Sequence, residues 1–292
     1  MEQESVFYMK YIPLNLTFCS MEEASLPPYI GSTLRGAIGQ VLHKNMEAYR
    51  YLYHNGALDN KGQDIVNPYV IIPPAEKEKP YRQGEILNFD ILLLGEAIQY
   101  TKALVNTLCD SSYLRLGVLR YPFRLMKVVH SLDQRVIWQE GSFYDVAVRG
   151  AILPNKMLSQ IKKIRIQTST PLRIRRKGEL LESVDFITII RNITTRLEAI
   201  TKRYGGFIDM KEAEHVKELS KVVHMTSCQF EWRVMSRYSN RLEEKMDFSG
   251  LIGNMVLEGD LTPFVPWLHA AQILHIGRNT TFGMGRITVE FT

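Results

Sequence analysis

Cysteine is scarce: Cys19, Cys109 and Cys228 are the three thiols of a 292-residue chain and stand about a hundred positions apart. With no C-x-x-C pair among them, a zinc knuckle and a disulfide-stapled scaffold are excluded, and the thiols are expected to be buried structural residues. The seven histidines are equally dispersed; His269 and His275, six apart, point to different faces of one helix. Neither a metal site nor a cofactor is expected. Long apolar runs are missing too, since no stretch of 18 apolar residues exists, which excludes a helical membrane span. The opening "MEQESVFYMKYIPL" begins with acids and lacks the apolar segment of a secretory signal, so a cytoplasmic protein without a membrane partner is expected. A nucleotide-binding glycine motif, a carboxylate pair and a nucleophile triad are also lacking, which argues against a basic metabolic enzyme.

What is present is length and positive charge. The chain is about twice a usual domain, so two compact domains are expected. The net charge of +5 tilts toward polyanionic partners only if the cations cluster. Apolar periodicity gives a strand at 5–18, a helix from Ser32 to Tyr53, strands at 68–74 and 86–94, a helix from Gly95 to Cys109, and extended segments after Gly117. The second half repeats the order: a strand at 161–170, a helix from Val184 to Tyr204 ended by Gly205 and Gly206, strands at 225–236 and 253–261, a helix near Pro263 and a last strand "GRITVEF". The expected fold class is α+β, with two tandem ferredoxin-like β-α-β-β-α-β domains, 1–155 and 156–292, joined in "VRGAILPNK" at 148–156.

The cations do cluster. "IKKIRIQTSTPLRIRRK" at 161–177 carries Lys162, Lys163, Arg165, Arg173, Arg175, Arg176 and Lys177 and no acid. In an extended strand Arg173, Arg175 and Lys177 share one face, with Leu172 and Ile174 on the core side, so a row of cations toward solvent is expected. Arg233, Arg237 and Arg241 recur every four residues beside Tyr238, a pattern suited to a phosphate backbone and an unstacked base. The alternative is a solvated face with ion pairs to Glu231, Glu243 and Glu244. At the end of the chain Gly277, Gly283 and Gly285 have the spacing G-x5-G-x-G. Successive N–H groups of such a turn can cradle an anion, with Arg278 and Arg286 adding charge and Thr280 and Thr281 adding hydroxyls. Phe282 either stacks on a base or plugs the core.

This loop, placed after a helix and before a final strand, resembles the glycine-rich loop of the RAMP superfamily, whose domains are RRM-like ferredoxin folds. The chain is most similar to the CRISPR-associated endoribonuclease that processes precursor CRISPR RNA. The likeness runs through "LRGAIGQVL" at 34–42, "NPYVIIPP" at 67–74, "TPLRIRRKGEL" at 170–180, "RYSNR" at 237–241, "GLIGNMVLEGDL" at 250–261 and "LHIGRNTTFGMGR" at 274–286. It implies two RAMP folds with a central cleft, binding of CRISPR repeat RNA as a monomer or homodimer, and one metal-independent cut. It also brings effector complex subunits into view as partners. Some relatives carry a cysteine cluster after the first helix; this chain has none.

Cleavage without a metal uses the ribose 2′-hydroxyl as nucleophile. It needs a base near that hydroxyl, an acid near the leaving 5′-oxygen and cations on the phosphorane. Gly36, Gly39, Gln40, His43, Glu47 and Arg50 form one polar face of the first helix, with Leu34, Ile38, Val41 and Leu42 on the core side. Two interior glycines in a helix point to close approach of another backbone. The resemblance places an active-site tyrosine, histidine and lysine on this helix and its approach; Tyr29, His43 and Lys44 match by region and residue type, with Arg50 an alternative to Lys44. His275, just before the glycine loop, is the rival histidine. His130 and His224 read as structural. The expected products are a 5′-hydroxyl and a 2′,3′-cyclic phosphate. The competing expectation is a non-catalytic RAMP subunit that only holds guide RNA in an effector complex.

Overall fold

The computed structural model of the protein describes residues 5–53, 66–155, 160–239 and 244–292. The chain divides into two units, Lys10–Ile152 and Met1–Met9 with Leu153–Thr292. In the first, the elements run β1 (Lys10–Ser20), α1 (Gly31–Leu42), α2 (Met46–Leu52), β2 (Tyr69–Ile72), β3 (Ile86–Leu94), α3 (Thr101–Asp110), β4 (Leu114–Leu116) and β5 (Tyr121–His130). In the second, they run β6 (Lys163–Thr168), α4 (Phe186–Tyr204), α5 (Met210–Leu219), β7 (His224–Arg233), β8 (Gly250–Glu258), α6 (Val265–Leu274) and β9 (Ile287–Phe291).

Alternation builds both sheets. Ile12, Leu14, Leu16 and Phe18 of β1 share one fully buried face, as residues two apart in a strand must. β1 pairs antiparallel with β3 from Tyr11↔Leu94 to Cys19↔Ile86, and on its other edge with β5. β2 pairs with β3, so four strands run in the order β2-β3-β1-β5, and strands Val136–Gln139 and Ser142–Phe143 continue the sheet beyond β5. The same logic governs β6, where Ile164, Ile166 and Thr168 are buried while Lys163, Arg165 and Gln167 are exposed. Its sheet reads β7-β8-β6-β9. In both units the first strand is flanked by the third and by the strand that follows the second long helix, β5 in one and β9 in the other, with the second outside the third. That is the ferredoxin-like arrangement of a β-α-β-β-α-β unit.

Two helices differ from the sequence expectation. The helix expected from Ser32 to Tyr53 is broken into α1 and α2, because the Asn45 side chain accepts the Ala48 N–H at 3.0 Å and starts a new helix. α5 was not anticipated; Asp209 caps it, accepting from the N–H groups of Lys211 and Glu212. Strand Phe7–Tyr8 pairs with Phe207–Ile208, and the Phe7 ring meets Trp267 edge-on at 5.5 Å, which ties the start of the chain to the second unit. The cysteines differ as well: Cys19 and Cys109 are half-buried and Cys228 is exposed, in a strand whose described residues are exposed save Ser227 and Phe230. Among the described residues no helix is long and apolar enough to cross a membrane.

Candidate functional site

In the first unit the residues of interest gather where α1 ends. His43 is the C-terminal cap of α1 and is exposed. Its ring stacks on Tyr49 at 3.7 Å between centroids; Tyr49 stacks on Tyr53 at 5.8 Å, and Tyr53 on Tyr69 at 5.0 Å. Ring pairs of this kind contribute about 0.5–1.5 kcal/mol each beyond burial. The turn between α1 and α2 that Asn45 creates is what brings Tyr49 back under the imidazole. The Tyr53 hydroxyl donates to the Arg35 carbonyl at 3.2 Å, tying the ladder to α1.

The tyrosine and lysine expected beside His43 are placed otherwise. Tyr29 precedes α1, and twelve residues of helix, about 18 Å of axis, separate its backbone from that of His43. Burial, then the charge of Glu76, pushes the Tyr29 hydroxyl well above its ordinary pKa, which keeps it protonated. The Lys44 ammonium lies 3.4 Å from the Asp110 carbonyl, at the C-terminus of α3. A cation that does reach α1 is Arg120, whose Nη1 is 3.4 Å from Gln40 Oε1; sequence reasoning missed it, for its hairpin is joined to α1 only by the fold. The two helix glycines also separate. A Cβ on Gly39 would lie 2.8 Å from the Tyr53 ring, so an aromatic ring and not a backbone explains it, while a Cβ on Gly36 would meet nothing within 4 Å.

In the second unit the glycine loop and the basic segment 170–178 are one piece of structure. Arg278 N–H donates to the Arg173 carbonyl at 2.7 Å, Gly285 N–H to Pro171 at 3.0 Å, and Ser169 N–H to Arg286 at 2.8 Å. Thr170 closes the other side, its hydroxyl donating to the Gly283 carbonyl at 2.8 Å and accepting the Arg286 N–H at 2.9 Å. Gly277 N–H goes to Asn192 Oδ1, Phe282 N–H to Asn279 and Gly283 N–H to Thr280. Most of the N–H groups that an anion cradle would offer are therefore bonded to protein. The glycines serve approach: a Cβ on Gly277 or Gly285 would run into the carbonyl of Arg173 or Ile276. Phe282 meets Phe248 edge-on at 5.3 Å, the core reading.

Burial sorts the basic and polar candidates. Arg173 is 6% exposed, not on a solvent row: its guanidinium donates to the Ser249 carbonyl and, at 3.2 Å, to Asp247. Segment 171–174 is buried throughout because Leu172 pairs with Leu251 on one edge while Pro171 and Arg173 hold the glycine loop on the other. Thr280 and Thr281 are buried, and Thr280 Oγ1 accepts from Arg196, a buried residue of α4 that also donates to the Leu274 carbonyl at 3.0 Å. His275 is fully buried with Nδ1 3.2 Å from the Met284 carbonyl. Burial first, then the charges of Arg286 and Arg196, depresses it to about 3, so it stays neutral and out of reach of a ligand on the surface. His130 is buried, as a structural histidine should be, whereas His224 is exposed.

Arg175, Arg176, Lys177, Arg278 and Arg286 remain exposed. Arg175 and Arg176 pair with Leu180 and Glu179 in a hairpin turning at Lys177 and Gly178, and Arg176 donates to the Thr188 hydroxyl at 3.0 Å. Arg233 is exposed at the end of β7; Arg237 lies in strand Ser236–Ser239, and Arg241 falls outside the described residues.

Residues 9–151 match a family model described as an N-terminal domain, and residues 166–287 match the model of the CRISPR-associated endoribonuclease Cas6. No curated protein matches the chain. Solved structures do. A partial Cas6-RT-Cas1–Cas2 complex matches all of this chain at 13% identity and a TM-score of 0.63, and this chain spans 47% of that one. Cas6 of Thermus thermophilus matches at 14% identity and a TM-score of 0.59 over 97% of this chain and 99% of its own. A Cas6 product complex matches at 21% and 0.55 over 96% and 100%. At these identities the likeness concerns the fold, and it extends through both units.

Proposed function

We infer from the match of residues 166–287 to the model of the CRISPR-associated endoribonuclease Cas6 that this chain cuts precursor CRISPR RNA within its repeat. The reaction is an attack of the ribose 2′-hydroxyl on the adjacent phosphorus: the P–O2′ bond forms, the P–O5′ bond breaks, and 5′-hydroxyl and 2′,3′-cyclic phosphate ends result. His43 handles the proton, taking it from the 2′-hydroxyl or delivering one to the leaving 5′-oxygen, a role worth roughly 10²–10⁴-fold. No metal ion takes part.

The observation that carries this reading is the placement of His43. It is exposed, at a helix end, with its ring stacked on Tyr49. The exposed cations Arg175, Arg176, Lys177, Arg278 and Arg286 bind the RNA backbone, and the glycine loop acts as their frame. The separation of Tyr29 from His43 supports a second reading, a RAMP subunit that holds RNA without cutting it.

One experiment separates the two. A labelled repeat incubated with protein in EDTA is expected to be cut once, with a cyclic phosphate end, and the same repeat carrying a 2′-deoxy ribose at the cut site is expected to stay whole. His43→Ala should bind the repeat with parent affinity and cleave at least 10²-fold more slowly. Tight binding with no cleavage by the parent protein would mean the holding subunit instead.

A further inference from the structure

We propose that Arg120 is a catalytic residue of this reaction, the cation that meets the scissile phosphate beside His43, with Gln40 as the positioning residue that holds it. The proposal rests on the reading of His43 given above.

The hairpin of β4 and β5 pairs Leu114↔Phe123, Arg115↔Pro122 and Leu116↔Tyr121, and turns through residues 117–120. Arg120 ends the turn with a φ of 57°, in the left-handed region that a non-glycine residue rarely takes. Its N–H donates to the Gly117 carbonyl at 3.2 Å, and its own carbonyl accepts from Arg115 at 3.5 Å, so the corner is held by its own bonds. Backbone strain of this kind is found at active sites and ligand clamps as well as in tight turns. The Arg120 side chain runs toward α1, with Nη1 3.4 Å from Gln40 Oε1.

Gln40 and His43 are three residues apart on one helix, and His43 keeps helical dihedrals of −55° and −20°. Residues at that spacing are neighbours, with Cβ atoms about 5–6 Å apart. The guanidinium and the imidazole therefore share one patch of surface in the first unit, one to carry charge and one to move a proton. An arginine presents five donors in a plane and can keep Gln40 while offering a second edge to a phosphate. The corner is also open: Val118 and Leu119 are each 73% exposed, so among the described residues nothing covers the approach. Lys44, the cation expected from the sequence, has its ammonium at the end of α3.

The test is single-turnover cleavage and equilibrium binding of a labelled repeat RNA in EDTA, with Arg120→Gly, Arg120→Lys, Gln40→Leu and His43→Ala. Glycine suits the left-handed corner, so Arg120→Gly should melt at or above the parent temperature. It is expected to cleave about 10²-fold more slowly while its Kd moves less than threefold. Arg120→Lys should recover part of the rate, and Gln40→Leu should lose several-fold with unchanged Kd. If Arg120→Gly cuts within threefold of the parent while His43→Ala is inert, Arg120 is not catalytic and the reading of His43 stands. If Arg120→Gly loses rate only through Kd, Arg120 is a binding residue and the proposal fails. If His43→Ala cuts at full rate, the reading of His43 falls and takes this proposal with it.

Discussion

Arg173 and Arg175 stand two residues apart and carry the same side chain, yet one is a strut and the other is free to meet a ligand. Alternation predicts both on the same face; Arg173 is instead enclosed with Asp247 and Ser249. His275 shows the same division. The closing histidine looked like a candidate acid or base, but burial holds it neutral, with Nδ1 against the Met284 carbonyl. Its folded pKa of about 3 lies below the unfolded value of about 6.5, so the unfolded chain takes the proton first. Stability from this group is therefore full above about pH 6.5 and declines as pH falls toward 3, by about 1.4 kcal/mol per pH unit. Urea unfolding between pH 4 and 7 is expected to show a shallower acid loss in His275→Asn than in the parent, with cleavage near neutral pH by the folded variant retained. A variant with the parent slope would mean that His275 is not held neutral in the fold.

At the scale of elements, most of the secondary structure was legible because it is local. The buried alternation of Ile12 to Phe18 and the 19-residue amphipathic pattern of α4 between Asp185 and Gly205 are written in neighbouring residues. What was not legible depends on distant pairing: the burial of segment 171–174, the break at Asn45 that seats Tyr49 under His43, and the approach of Arg120 to Gln40. The glycine loop falls between. Its spacing is visible in the sequence, but that its N–H groups bond to protein is visible only when segment 169–173 is seen beside it. Gly285→Ala is expected to cost at least about 2 kcal/mol, for alanine must take a φ of 71° and its methyl would overlap the Ile276 carbonyl. Gly36→Ala, with open space at its Cβ, should stabilise by about 1 kcal/mol. Denaturant midpoints for the two variants should move in opposite directions, and a silent Gly285→Ala would remove the packing role assigned to the loop.

Across the whole molecule the charge excess is small, 36 basic against 31 acidic side chains, so a net of +5 spread evenly would give weak affinity for a polyanion. Clustering changes this. Arg175, Arg176, Lys177, Arg278 and Arg286 come from two segments fastened by backbone hydrogen bonds, and phosphates set along such a row release their counterions together. For single-stranded RNA each phosphate contact contributes about −0.7 to the slope of log K against log salt, so five contacts give a slope near −3.5. Arg175→Gln with Lys177→Gln should bring it to about −2.1, and Arg278→Gln alone to about −2.8. Filter binding of a repeat RNA from low to moderate salt measures this directly. Since these side chains belong to the second unit and His43 to the first, and they are assigned binding rather than proton transfer, saturating protein should restore the cleavage rate in both variants. A slope indifferent to Arg278→Gln would take Arg278 out of the RNA-binding surface and leave Arg286 as the loop's one assigned contact.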